Sequence, residues 1–110
     1  MSGLPPVRNH YPHIDLCDEL GGSPVLSGTR VPVRRLWAWH RRGTSVETLV
    51  KRYPKLGWSR ILGALAFAYD NLELIEADLE RERALLEAEE HREEPAQAVL
   101  AFGDAKGELR

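Results

Sequence analysis

Cysteine is almost missing from this 110-residue chain, with Cys17 standing alone. A disulfide within the chain is therefore impossible, a reducing compartment suits it, and Cys17 reads as a small, half-buried residue. Long apolar runs are missing as well, since nothing approaches the ~18 to 20 residues needed to span a bilayer. The opening MSGLPPVRNH has no apolar signal-peptide core, so a cytoplasmic location without membrane association is expected. Catalytic motifs are absent too: there is no phosphate loop, nucleophile elbow or Cys–His pairing. The histidines, His10, His13, His40 and His91, include no pair at ligand spacing on a predicted helix. No catalytic set, metal site or cofactor is expected, and the chain reads as a non-enzyme.

What is present is an ordinary globular composition, 43% apolar and 29% charged, enough for one small domain with a modest core. The net charge of −2 conceals a division. From Arg30 to Arg60, nine cations face Glu47 alone, a net +8; from Asp70 to Glu94, eleven acids face three arginines, a net −8. Two opposite fields imply one surface for a polyanion and another for a basic partner. The alternative is that the halves neutralise each other across the fold.

Residues 1–12 carry three prolines and no apolar period, and read as a flexible arm. Short β pieces follow at His13–Leu16 and Ser23–Val31, joined by Gly21-Gly22, with a second turn at Ser27-Gly28-Thr29. Pro32 ends the strand and opens a helix from about Val33 to Arg42, with Val33, Leu36, Trp37 and His40 at helical spacing, Trp39 and Ala38 widening the face, and Gly43 as its stop. Thr44-Ser45-Val46-Glu47 caps a short second helix that ends at Tyr53-Pro54. A third, from about Trp58 to Tyr69, places Trp58, Ile61, Leu62, Leu65, Ala68 and Tyr69 on one stripe, leaving Arg60, Gly63, Ala64 and Phe67 elsewhere. Asp70-Asn71 breaks it and caps a long acidic helix to about Glu94, with a stripe of Leu72, Ile75, Leu79 and Leu86; Pro95 ends it before a flexible tail, 95–110.

Two short helices joined by a tight turn and followed by a third form the order of a helix-turn-helix unit. Phosphate neutralisation supplies most non-specific DNA affinity, which makes Arg30, Arg34, Arg35, Arg41, Arg42, Lys51, Arg52, Lys55, Ser59 and Arg60 the candidate DNA contacts. Arg60 is the one strong base reader expected on the third helix, beside Trp58, Ser59, Gly63 and Ala64. The acidic helix, through Leu72, Ile75, Leu79 and Leu86, is the candidate partner face. Trp37, Trp39 and Trp58 read as core rather than as stacking platforms for single strands.

GGSPVLSGTRVPV from Gly21 to Val33, a helix stopped by Gly43, SVETLVKRYPKL and an Ala-rich helix through AYDN together resemble a known family. From about Ile14 to Leu79 the chain is similar to domain-of-unknown-function family 433, which includes VapB-type antitoxins. The resemblance implies a mainly α, homeodomain-like three-helix bundle with a short N-terminal β element and, in this chain, a long acidic C-terminal helix. It also implies a dimer on operator DNA and a PIN-type ribonuclease toxin as partner. The chain departs from the pattern at Gly57, where members commonly carry Thr or Ser to cap the third helix. The competing expectation is a protein-interaction or dimerisation module without DNA binding, built on the β element and the leucine stripe.

Overall fold

The computed structural model describes the backbone of residues 3–100 and the side chains of residues 3–90. It divides into two compact units, residues 1–80 and 81–110. The first opens with an antiparallel hairpin of β1 (Ile14–Cys17) and β2 (Ser23–Leu26), Ile14 opposite Leu26 and Cys17 opposite Ser23. The turn needs two successive left-handed residues, Gly21 at φ 70° and Gly22 at φ 89°, which glycine adopts without steric cost. β2 ends at Leu26, and the expected second turn at Ser27-Gly28-Thr29 folds the chain back. The Thr29 N–H donates to the Leu26 carbonyl at 3.0 Å, its hydroxyl to the same carbonyl at 2.7 Å, and Val31 N–H donates to that hydroxyl at 3.0 Å. The returning strand bridges Val25 to Pro32, which becomes the N-cap of α1 (Val33–Arg41).

α1 ends in the Arg42 cap, with Gly43 beyond it at φ 101°. Ser45 then caps α2 (Val46–Arg52), accepting from Thr48 N–H at 3.1 Å. α3 (Gly57–Asp70) and α4 (Leu72–Leu100) follow. Leu26, Val33, Leu36, Leu49, Ile61, Phe67 and Ile75 form the fully buried centre of the first unit. The described fold is thus mainly helical with a short N-terminal β hairpin.

The α3 face differs from the expected stripe. Ile61, Ala64, Leu65, Phe67 and Ala68 are buried, while Trp58, Leu62 and Tyr69 face solvent. The cause lies in the first residues of the chain. Residues 3–12, expected as a flexible arm, form neither helix nor strand, and Leu4, Val7 and Tyr11 pack on the core. The Tyr11 ring meets Phe67 edge-on at 5.7 Å, drawing the buried arc of α3 towards Phe67. Asn71, 2% exposed, ties this segment down. Its Oδ1 accepts from Arg8 N–H at 2.6 Å and Asn9 N–H at 3.1 Å, and its amide donates to the carbonyls of Asn9 and Phe67, each at 3.0 Å. Every hydrogen-bonding site of that amide is used.

Among the described residues of α4 the buried positions are Leu74, Ile75 and Asp78, an i, i+1, i+4 set rather than the expected leucine stripe. The helix continues through Pro95 to Leu100, past the expected stop at Glu94. The residues after the proline, Ala96-Gln97-Ala98, are strong helix formers. Of the second unit, residues 81–90 are helical and carry the exposed Leu85 and Leu86 and an Arg83–Glu87 pair at 3.0 Å. The remainder of the expected tail, residues 101–110, lies outside the described residues.

Candidate nucleic-acid interface

The cations from Arg30 to Arg60 separate into three groups. Two turn inward. Arg34, on the first turn of α1, donates through Nη1 to Ser23 Oγ at 2.9 Å and Asp78 Oδ2 at 3.1 Å, while Ser23 Oγ donates to Asp78 Oδ1 at 2.7 Å. The side chains of Arg34 and Asp78 are 12% and 1% exposed. A buried carboxylate without its cation would carry a desolvation cost of several kcal/mol, so this guanidinium belongs to the interior and is not a phosphate contact. Arg60 donates through Nη2 to the carbonyl of Ser27, and its Nε is buried. It braces the second turn of the β region instead of reading a base.

Two more cations are paired at the surface. Arg41 Nη1 donates to both carboxylate oxygens of Glu76, at 2.8 and 2.9 Å, and the Trp37 indole N–H donates to the same group at 3.0 Å. Arg30 donates to Glu19, and that exposed hydrogen bond, followed by the carboxylate charge, raises the Arg30 pKa further above its ordinary value. Part of the −8 field is therefore consumed by the +8 field, through Asp78 and Glu76.

The third group faces solvent. Arg35 on α1, Arg42 at its cap, Lys51 and Arg52 on the last turn of α2, and Lys55 beyond it are all exposed. Lys51 stands 4.0 Å from Glu47 one helical turn away, a separation that contributes little at a surface. Arg35, Arg42, Arg52 and Lys55 make no ion pair among the described residues. Arg52 lies 4.5 Å and Arg42 6.0 Å from the Trp39 ring centroid. Ser59 is exposed at the start of α3.

Ala64, expected at the α3 surface, is fully buried. The exposed face of α3 holds Trp58, Leu62 and Tyr69 and no cation. Tyr69 is tied into the bundle, its hydroxyl 2.7 Å from His40 Nε2 and its ring edge-on to Trp37 at 4.9 Å. The proposed leucine face of α4 does not hold together: Ile75 is fully buried and Leu79 is packed partly against the core, leaving Leu72 and Leu86 exposed. Sequence reasoning missed the Trp39 pairings, although Trp39 and Arg42 lie three residues apart, and it missed Glu76 and Asp78 as internal partners. Asp78 follows Leu74 by four residues, and that spacing was the available signal.

No group of three or more His, Cys, Asp or Glu among the described residues is placed to hold a metal ion. No helix among them is long and apolar enough to cross a membrane.

The fold and this surface define a small, mainly helical unit with a cationic rim on its first two helices. A family model described as a protein of unknown function, DUF433, matches residues 17–68. The chain is also 43% identical over 54 residues to an uncharacterized protein, y4eO, of Sinorhizobium fredii (strain NBRC 101917 / NGR234), a match covering 49% of this chain and 24% of that protein. The chain thus aligns with about a quarter of that relative's length. No solved structure matches.

Proposed function

We propose that the chain is an antitoxin-type regulator that binds operator DNA as a dimer, with α2, the residue 53–56 turn and α3 as its helix-turn-helix unit. The observation that carries this reading is the rim of solvent-facing cations, Arg35, Arg42, Lys51, Arg52 and Lys55, with Glu47 the one acid in the same stretch. Affinity on such a rim comes from phosphates. Arg60 is occupied by Ser27 and α3 exposes no cation, so base discrimination is modest. The acidic residues of α4 beyond residue 80 are the part assigned, by resemblance, to a basic PIN-type toxin.

Duplex binding measured against salt tests the reading. Affinity is expected to fall about tenfold or more between 50 and 200 mM salt and to weaken further in Arg35→Glu. Salt-insensitive binding, or none to the DNA upstream of the gene, rejects it. A second reading, a protein-interaction module without DNA affinity, is favoured by the exposed Trp58 and Leu62, 52% and 49% accessible on one face of α3. It predicts that Leu62→Glu changes the state of association while the salt-dependent duplex binding is absent in every variant.

A further inference from the structure

We infer that Trp39 is a positioning residue that holds the guanidiniums of Arg42 and Arg52 as a two-armed seat for a phosphodiester of duplex DNA; the inference deepens the DNA-binding reading and rests on it. Two like charges gathered around one indole repel each other, and no carboxylate among the described residues pairs with either. The indole face compensates in part, because the ring quadrupole attracts a cation lying over it. The helix ends compensate in part as well: Arg42 caps α1 and Arg52 closes α2, and each C-terminus carries about half a negative charge. Set against two full positive charges, the two ends leave roughly one uncompensated, which matches one bridging phosphate.

The backbone fixes the arrangement before any ligand arrives. The Trp39 carbonyl accepts from Arg42 N–H and Thr44 N–H, both at 3.1 Å, and the His40 carbonyl accepts from Gly43 N–H at 2.9 Å. These bonds close the helix end at Arg42, so its side chain leaves the backbone from a fixed point beside Trp39. Tyr53 N–H donates to Leu49 at 2.9 Å, which closes α2 directly after Arg52. Trp39 is half-buried and packed against the core. Two long side chains that would otherwise lose rotamer freedom on binding are in this way ordered in advance.

The test uses the full chain and a fluorescein-labelled random-sequence duplex titrated across salt, in wild type, Trp39→Phe, Trp39→Leu, the double variant Arg42→Gln/Arg52→Gln, and, as a control losing two charges at cations paired with Glu73 and Glu87, Arg8→Gln/Arg83→Gln. Trp39→Leu removes no charge, yet is expected to weaken binding about threefold to tenfold, with Trp39→Phe close to wild type. The double variant is expected to flatten the plot of log K against log salt by about 0.9, the change for one phosphate, with the control unchanged. If Trp39→Leu fails to fold, Trp39→Phe and the double variant still decide. Wild-type binding with an unaltered slope in the double variant overturns the seat and leaves the DNA reading standing. A preference for single-stranded over double-stranded DNA also overturns it, since the indole would then be stacking on bases. Should wild type bind no duplex, sodium tripolyphosphate separates the two ideas. Quenching of tryptophan emission that is lost in the double variant keeps the phosphate seat and rejects DNA as its ligand, and no response rejects both.

Discussion

Arg34 and Arg35 are adjacent in the chain and belong to different regions of the molecule. Arg34 enters the seam between β2, α1 and the first turns of α4, where Ser23 and Asp78 surround it; Arg35 faces water beside the α1–α2 rim. Within the seam, charge is a structural component whose removal exposes an unmatched partner. On the rim, charge has no buried ionic partner: Lys51 stands 4.0 Å from the exposed Glu47, and Arg42 and Arg52 lie against the Trp39 ring. One region answers to stability measurements and the other to ligand binding, and mutations can be sorted by which of the two they move.

The largest expected effect is in the seam. Arg34→Ala or Asp78→Ala should each cost about 3–5 kcal/mol in urea-induced unfolding, because each leaves a buried ionic partner alone. Arg34→Met combined with Asp78→Leu should recover most of that loss, and equal costs for single and double variants would remove the distinction between seam and rim. Next comes α3, where Phe67→Ala should cost about 3–5 kcal/mol and Leu62→Ala, on the exposed face, within about 0.5 kcal/mol. Asn71→Ala removes the shared acceptor of two partly buried amides of the N-terminal segment and should cost about 1–3 kcal/mol, with faster hydrogen exchange at Arg8 and Asn9. On the surface, Arg41→Ala should cost at most about 1 kcal/mol.

The smallest effect is at Tyr11, whose phenol is held above its ordinary pKa by the hydrogen bond to Asp70, with desolvation and the carboxylate charge adding to it. A raised folded-state value favours the protonated form in the fold. Its contribution is therefore complete below the unfolded value of about 10 and is lost as pH rises through the folded one. Melting temperatures measured from about pH 9 to 11 should fall less steeply in Tyr11→Phe than in wild type.

The boundaries of the fold were legible because they are set by residues with few conformational options. Gly21-Gly22, Pro32, Gly43 and Ser45 each stand where the structure turns, starts or caps an element. The face of α3 was not legible, because a helix apolar nearly all round gives its period no contrast, and Phe67 is buried by a segment 56 positions earlier, at Tyr11. The site was legible as a region and not residue by residue. Nothing local distinguishes Arg34 from Arg35, since the group that selects Arg34 is 44 positions away. Arg60 was assigned to a base edge for the same reason, its acceptor being a backbone carbonyl 33 positions back.

The Asn71 side chain joins positions 62 and 63 residues apart. In a chain synthesised from its N-terminus, Arg8 and Asn9 are made before Asn71 and must wait for it before their amides find this acceptor. The earlier-made segment is consequently fastened only by the later one. During that interval Phe67 has not yet been made, so Leu4, Val7 and Tyr11 have no surface to cover and remain open to peptidases and chaperones until the α3–α4 junction arrives.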